Sequence, residues 1–175
     1  MATPVVRVGI AAVIHDPKTN KMIFGTRKGS HGSGTIQFPG GHLDVGESWF
    51  DCAERETLEE TGLVVKAKKL LAATNDIFEQ EKKHYITLFI LCERVDEKEP
   101  VVLEPEKCVG WFWNSWSDVK GLMNGDSGAS GSGSGSGQQG EQKFFLPITN
   151  LLRDHPDIES LMQRRQLMEQ GGHVE

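Results

Sequence analysis

The segment His84 to Val95, HYITLFILCERV, places the strongest constraint on the fold of this chain. In an extended conformation its residues alternate between two faces, and both faces are largely apolar. One face carries Tyr85, Thr87, Phe89 and Leu91, and the other carries Ile86, Leu88 and Ile90. A strand that is apolar on both sides is usually central in a sheet. The chain is therefore expected to build a sheet around this segment.

Further strands are predicted on either side of it along the chain. Val5 to Ile14 is followed by a turn signal at Asp16-Pro17 and then by Lys21 to Phe24, which predicts a β-hairpin with a loop of four or five residues. The glycine-rich residues 29–41 predict a long exposed loop around a short strand at Ile36 to Phe38. Two more strands are predicted at Val64–Ala73 and around Trp111–Trp113.

A Ser/Gly tract interrupts the C-terminal part of the chain at about residues 125–142, and this composition predicts a flexible loop. Beyond it, Phe144–Leu152 and Pro156–Gln170 are predicted as helices, the second with proline at its first position. Because FFLPITNLL is apolar, we expect the chain to return to the main core after the tract. Residues 1–175 are therefore predicted to form one domain with a flexible loop, rather than two domains.

Composition excludes several classes of protein. With a net charge of −6, the protein is not expected to have the basic surface that binds a nucleic-acid polymer. A small phosphorylated ligand remains compatible with this charge, because a bound divalent cation can reverse the local field. The three cysteines are widely spaced and suggest no disulfide framework. The sequence shows no secretory signal at its start and no run of the roughly 18 apolar residues that a membrane span needs. A cytoplasmic protein without membrane partners is expected.

Ser48 to Thr61 is the most clearly marked helix, with Ser48 and Asp51 able to form a capping box and Gly62 suited to its C-terminal end. On a wheel of about 100° per residue, the carboxylates of this helix share the side occupied by apolar residues one turn earlier. The carboxylates in question are Glu56, Glu59 and Glu60. A solvated acidic face is one interpretation of such a cluster. The alternative is a bound divalent cation, which would relieve the repulsion among like charges, and oxygen ligands favour Mg²⁺ or Mn²⁺.

The spacing around this helix resembles a known motif. Gly41, five residues, Glu47, seven residues and then RETLEETGL is similar to the Nudix box, GX5EX7REUXEEXGU, with all seven fixed positions filled. One class position departs from the pattern, because Thr57 stands where the family usually has a bulky aliphatic residue. The resemblance implies an α/β/α sandwich with a mixed β-sheet and a catalytic loop–helix–loop. It also implies an enzyme that cleaves diphosphate linkages.

The resemblance assigns the metal ligands residue by residue. Glu56, Glu59 and Glu60 would bind Mg²⁺, with Mn²⁺ as a substitute, and the Gly41 carbonyl would be an additional ligand. Glu47 would support the site.

Catalytic roles are assigned in the same way. Arg55 would orient the glutamates through charge-assisted hydrogen bonds, a bidentate task for which lysine is poorly suited. Glu59 is the first candidate for general base and Glu56 the second. A further carboxylate would come from Glu104 or Glu106, unless both are simply loop charges.

Most of the chain outside its ends and the Ser/Gly tract resembles the small Nudix hydrolases that act on nucleoside triphosphates, including oxidised guanine nucleotides. The substrate would then be a small nucleotide, cleaved to a monophosphate and pyrophosphate. Arg27 and Lys28 would contact phosphates unless they are solvated strand-end charges, and the backbone of Gly40 and Gly41 would adjoin the substrate. Pro147 and Ile148, with Leu146, would close the base pocket with backbone groups.

Several substrate questions stay open in the sequence. Aromatic residues that could stack on a base, or else belong to the core, are Phe24, His31, Trp113 and Phe145. His84 is expected to be structural. ADP-ribose, dihydroneopterin triphosphate or a prenyl diphosphate are alternative substrates, and a non-catalytic nucleotide sensor is an alternative of another class. Related enzymes are often homodimers, so a homodimer is a further expectation.

Overall fold

Seven strands form one mixed sheet in this computed structural model, which describes residues 5–29, 31–123 and 143–163. The strands are β1 Val6–Asp16, β2 Lys21–Arg27, β3 Ile36–Gln37, β4 Gly40–His42, β5 Val65–Phe78, β6 Lys83–Arg94 and β7 Cys108–Asn114. The main path runs β3-β2-β1-β6-β5, while β4 pairs with β1 and β7 pairs with β2. Strand β6 is parallel to β1 and antiparallel to β5, so the predicted central position of this segment is confirmed.

The predicted hairpin joins β1 and β2 through residues 17–20, because Asp16 pairs with Lys21. The loop expected over residues 29–41 is only partly exposed, since Ile36, Gln37 and Phe38 are buried and Phe38 lies outside the short strand. Strand β5 continues to Phe78, beyond the predicted end at Ala73. Polar residues at 74–76 predict a strand end, but the structure buries two of them and satisfies them with hydrogen bonds.

Helix α1, Trp49–Thr61, begins and ends where the sequence predicts. The Ser48 hydroxyl accepts a hydrogen bond from the Asp51 N–H at 3.1 Å, and Gly62 adopts a left-handed conformation at the C-terminal cap. The Asp51 carboxylate accepts from the Ser48 hydroxyl instead of reaching the backbone, so the capping box is incomplete. Thr57 is buried and its hydroxyl donates to the Ala53 carbonyl at 2.7 Å, which satisfies the polar group that replaces an aliphatic side chain.

Alternation along β1 gives the sheet two apolar faces. Helix α1 covers one face through Cys52 and Ala53. Helices α2 Trp116–Met123, α3 Leu146–Asp154 and α4 Ile158–Gln163 cover the other. The side chains that pack there are Trp116, Val119, Ile148, Leu151, Ile158 and Met162. The α/β/α arrangement with a mixed sheet is therefore confirmed.

Helix α2 is not predicted from the sequence, although it has a start signal. The Ser115 hydroxyl accepts from the Asp118 N–H at 3.2 Å, and the Asp118 carboxylate accepts from the Ser115 N–H at 3.0 Å, which is a reciprocal capping box. Helix α4 begins at Ile158, so Pro156 is not its first residue, and the predicted helical residues 164–170 lie outside the described residues.

The segment after the Ser/Gly tract packs into the core beside the sheet through Ile148, Leu151 and Ile158. The tract itself, residues 125–142, lies outside the described residues, and the single-domain division of residues 1–175 stays a prediction. All three cysteines, Cys52, Cys92 and Cys108, are free and buried. None of the described helices is long and apolar enough to cross a membrane.

Candidate active site

Arg55 ties the acidic residues around α1 into one network. Its Nε and Nη2 atoms donate to the two oxygens of Glu47 at 2.7 and 3.0 Å, a bidentate pair. The Arg55 Nη1 atom donates to Glu56 at 2.9 Å and to Glu59 at 3.1 Å. The hydrogen bonds from Arg55 lower the pKa of Glu47 to about 2, and those from Glu47 raise the pKa of Arg55. The expected geometry of both residues is thus present.

Glu56 lies directly against the backbone of β4. Its side chain is buried, and burial raises its pKa despite the opposing effect of the Arg55 hydrogen bond. A Cβ atom added to Gly41 would overlap the Glu56 carboxylate, so any side chain at position 41 would displace that carboxylate from its present position. The Glu56 carboxylate and the Gly41 backbone therefore share one confined space.

Glu60, one turn further along α1, is the second buried carboxylate. It accepts a hydrogen bond from the Gly40 N–H at 3.0 Å. Burial raises its pKa to about 7, and the charges of Glu56 and Glu104 add to that rise. Gly40 has φ of 151°, and a Cβ there would overlap the Ile10 carbonyl oxygen, so this turn of the chain also requires glycine.

Glu59 occupies a different environment, because its side chain is half-exposed and its hydrogen bond goes to Arg55. Within the part of the chain that the structure describes, no group of three His, Cys, Asp or Glu side chains is arranged to hold a metal ion. The two buried carboxylates with raised pKa values, Glu56 and Glu60, nevertheless lie beside the Gly40–Gly41 backbone, and both could supply oxygen ligands to a metal. Such a set fits a hard divalent cation, which would favour the ionised carboxylates.

A cavity of about 360 Å³ adjoins these carboxylates. Arg55, Glu56 and Glu60 line one part of it, together with Gly40 and Gly41. Other predicted residues that line it are Arg27, Lys28, His31, Phe145, Pro147 and Ile148. The cavity therefore brings most of the predicted metal and substrate residues together.

Arg27 is held rigidly at the cavity wall. Its Nε donates to the His31 carbonyl at 3.0 Å, its Nη1 donates to Gln37, and its guanidinium lies 4.1 Å from the centre of the Phe145 ring. Burial lowers its pKa from the usual arginine value. Stacking on an aromatic ring and two hydrogen bonds fix the direction in which the remaining N–H donors point.

Four aromatic rings cluster at the cavity. The ring centres of His31 and Phe78 are 4.6 Å apart, those of His31 and Phe145 are 5.2 Å apart, and those of Phe78 and Tyr85 are 5.9 Å apart. The Tyr85 hydroxyl also lies 3.1 Å from Nε2 of His42. These rings provide a surface on which a planar group can stack.

Two of the four aromatic candidates for base stacking, Trp113 and Phe24, lie outside the cavity. Trp113 lies on the face of the sheet that α1 covers, because side chains alternate along β7, and its Nε1 donates to Glu99 at 2.9 Å. Phe24 is fully buried in the core on the opposite face, where it packs against Phe38 and Trp116. Neither residue lines the cavity.

The remaining predictions concern three polar residues. His84 lies 2.5 Å from the Asn75 side-chain oxygen at the surface, outside the cavity. Glu106 is exposed, whereas Glu104 is half-buried and its Oε2 lies 2.8 Å from Lys107 Nζ. Because its charge raises the pKa of Glu60, Glu104 is the better placed of the two predicted outer carboxylates.

Sequence reasoning does not assign several cavity-lining residues to the site: Gln37, Phe78, Tyr85, Thr87 and Lys107. Thr87 has a signal in the sequence, since it is the polar residue on an otherwise apolar or aromatic face of the central strand. Phe78 has none, because it follows three polar residues and an exposed isoleucine.

Comparison with known proteins agrees with this geometry. The family model for the NUDIX domain matches residues 5–130. An ADP-ribose pyrophosphatase of Methanocaldococcus jannaschii is 36% identical over 75 residues, and the match covers 42% of this chain and 44% of that protein. The chain therefore spans less than half the length of that relative.

Solved structures give the same result for the fold. A MutT NUDIX hydrolase from Burkholderia pseudomallei superposes with a TM-score of 0.54 and 26% identity, covering 62% of this chain and 82% of that chain. A NUDIX hydrolase from Nitrosomonas europaea has a TM-score of 0.62 and 20% identity, covering 87% of this chain and 90% of that chain, which shows the fold alone.

The chain belongs to the NUDIX domain family. Hydrolases of this family generally use divalent metal ions such as Mg²⁺ and act on small nucleotide substrates.

Proposed function

We propose that this protein hydrolyses a pyrophosphate bond of a nucleoside triphosphate, giving a nucleoside monophosphate and pyrophosphate, with Mg²⁺ as cofactor. The observation that carries the proposal is that one cavity holds two buried carboxylates, an aromatic cluster and several cationic groups. A nucleotide needs all three kinds of contact, because it joins a planar base to a chain of anionic phosphates.

The aromatic cluster is the proposed binding site for the base of the nucleotide. His31, Phe78, Tyr85 and Phe145 offer ring faces and edges at one end of the cavity. Pro147 and Ile148, at the start of α3, would close this end with backbone groups. Arg27, Lys28 and Lys107 also line the cavity and would attract the phosphates.

Glu56, Glu59 and Glu60 would hold the metal, with the Gly41 carbonyl as a further ligand, and Mn²⁺ would substitute for Mg²⁺. When bound, such an ion neutralises charge on the phosphate oxygens and lowers the pKa of water. Glu56 and Glu60 are already buried beside the Gly40–Gly41 backbone, whereas the half-exposed Glu59 side chain would have to turn from Arg55 to join them.

Arg55 and Glu47 would fix the direction of the carboxylates. Arg55 donates to Glu56 and Glu59 from a single Nη1 atom while both other donor groups hold Glu47. Glu59, half-exposed and held only on one side, is our first candidate to accept the proton of the attacking water, and Glu56 is the second. The water oxygen would bond to phosphorus as the bridging P–O bond breaks and pyrophosphate leaves with its electron pair.

Hydrolysis of ADP-ribose is the second candidate function. The M. jannaschii relative carries the name of an ADP-ribose pyrophosphatase, and its match to this chain is 36% identical. A panel of nucleoside triphosphates, oxidised guanine triphosphates, ADP-ribose and dihydroneopterin triphosphate, assayed with Mg²⁺ by chromatographic separation of the products, separates these activities. Turnover of ADP-ribose alone would reject our proposal, and turnover of none would favour a non-catalytic sensor.

Two substitutions test the catalytic assignment. Glu59→Gln and Glu60→Gln should each lower turnover by about 10²–10⁴-fold, because each removes a carboxylate from the site without changing its shape. Glu54→Gln is the matched control on the same helix, since Glu54 bonds Lys66 and the Ala67 N–H rather than the cavity groups. Turnover near that of the wild type in both Glu59→Gln and Glu60→Gln would reject the metal assignment.

The homodimer, the cytoplasmic location and the absence of a nucleic-acid polymer among the partners stay predictions from the sequence. Size-exclusion chromatography with light scattering would test the first of these.

A further inference from the structure

Asp76 is a fully buried carboxylate that the proposed chemistry does not use. It lies on β5, has 0% exposure and does not line the cavity. A buried carboxylate is costly unless hydrogen bonds satisfy it, so its surroundings require a functional or structural explanation.

Three side-chain donors satisfy Asp76. Its Oδ2 accepts from the hydroxyls of Thr74 at 2.9 Å and Thr87 at 2.6 Å, and its Oδ1 accepts from Nδ2 of Asn150 at 2.7 Å. All three donors are themselves buried. The Asn150 amide is fixed in orientation, because its nitrogen also faces the Asn75 carbonyl at 3.4 Å and both partners are acceptors.

The direction of the Thr87 hydrogen bond has a consequence for the cavity. The Thr87 hydroxyl donates to Asp76 Oδ2, so its single hydrogen is committed to that carboxyl group. Thr87 also lines the cavity. Where its oxygen meets a ligand in the cavity, it therefore offers lone pairs alone.

A glycine lies beside this oxygen on the neighbouring strand. Gly9 pairs with Thr87 across β1 and β6, and a Cβ on Gly9 would lie 3.6 Å from Thr87 Oγ1. Because no side chain occupies that space, a ligand atom can approach the oxygen from the cavity.

We propose that Asp76 is a positioning residue that sets Thr87 as an obligate acceptor, so that the cavity selects a nucleobase whose edge carries an N–H group. This inference rests on the proposed nucleotide function and names the base chemistry of its substrate. A base that presents only acceptors to Thr87 would leave its lone pairs unpaired in a buried site, which binding penalises.

Exchange of the two polar residues tests this directly. In Asp76→Asn, the new amide must turn its oxygen to Asn150 to satisfy that donor, and its NH₂ then faces Thr87. Thr87 becomes the acceptor of that bond and its hydrogen is free to face the cavity. In the double variant Asp76→Asn/Asn150→Asp, the carboxylate at 150 accepts from the NH₂, the amide oxygen turns back to Thr87, and the original polarity returns.

The measurement is calorimetric binding of two monophosphates, which needs neither metal nor turnover. The probes are dGMP, whose base edge carries N–H groups, and 2′-deoxyribosylpurine 5′-monophosphate, whose base has none. Wild type should prefer dGMP by at least about tenfold in Kd, the equivalent of one or two hydrogen bonds. Asp76→Asn should bring the ratio close to one, and the double variant should restore it.

A matched pair of controls separates positioning from stability. Thr74→Val and Thr87→Val each remove one hydroxyl from Asp76 Oδ2, but only Thr87 lines the cavity. Both should lower the melting temperature by a similar amount, while only Thr87→Val should reduce the dGMP preference. This pair also decides the matter if Asp76→Asn fails to fold.

Four results would overturn the inference: no dGMP preference in wild type, an unchanged ratio in Asp76→Asn, no recovery in the double variant, or equal ratios in Thr74→Val and Thr87→Val. If any of these four results is obtained and the protein still hydrolyses triphosphates, the proposed function is retained and only the base selection is rejected. Selective dGMP binding without hydrolysis would do the reverse.

Discussion

Replacing Glu60 by glutamine tests the electrostatics of the candidate site in the metal-free protein. Glu60 is 6% exposed, and burial raises its pKa from 4.5 to about 7. Between these two pH values the unfolded chain loses the proton while the folded protein keeps it, so stability falls as pH rises through this window. Above about pH 7 the folded protein carries the full cost of the buried charge.

The size of that cost follows from the pKa values. A rise of roughly 2.5 pKa units at about 1.36 kcal/mol per unit amounts to about 3 kcal/mol. Glutamine keeps an oxygen to accept the Gly40 N–H but has no proton to lose. The difference in free energy of unfolding between Glu60→Gln and wild type should therefore shift by about 3 kcal/mol in favour of the variant from pH 4 to pH 8.

Urea unfolding at a series of pH values, with EDTA present, measures this difference in free energy of unfolding. Titratable groups that both proteins share contribute equally to the two values, so their contributions cancel in the difference. Glu54→Gln, on the same helix but bonded to Lys66 and Ala67, is the control and should show a much smaller pH-dependent difference. A Glu60→Gln difference that stays constant with pH, or that favours wild type at pH 8, would contradict the assigned burial of this carboxylate.

Two further substitutions probe the geometry of the site. Gly41→Ala should abolish most activity, because its methyl group would displace the Glu56 carboxylate. Gly110→Ala should be harmless, because a Cβ there contacts nothing within 4 Å. Equal activities of the two variants, measured by chromatography of the nucleotide products, would refute the close approach. Arg55→Lys should lower kcat/KM by about 10–100-fold, because lysine cannot make the bidentate pair with Glu47, and a loss below twofold would show that this pair is dispensable.

The elements that the sequence predicts best are those with strong local patterns. The central strand has apolar residues on both faces, and α1 has a serine cap and a glycine terminator, so local chemistry alone defines them. The family resemblance of this segment likewise implies that Arg55 orients the glutamates, and the structure contains the corresponding hydrogen bonds. Each of these features is encoded within about twenty consecutive residues.

Features that depend on tertiary contacts escape prediction. Strand β5 extends through polar residues because Thr87 and Asn150, distant in sequence, supply hydrogen bonds to Asp76. Trp113 is aromatic and near a predicted strand, but the face that it occupies depends on the pairing of β7 with β2. Phe78 contacts His31 and Phe145 only after three distant segments assemble, and no local pattern reports such an encounter.

The central claim is that carboxylates of α1 bind a divalent cation beside the nucleotide cavity. Diffraction from crystals grown with Mn²⁺, recorded at the manganese absorption edge, tests it most directly. We predict an anomalous peak bound by Glu56, Glu59, Glu60 and the Gly41 carbonyl, and its loss in Glu60→Gln. A structure of the wild type at saturating Mn²⁺ with no peak among these oxygens would contradict the account.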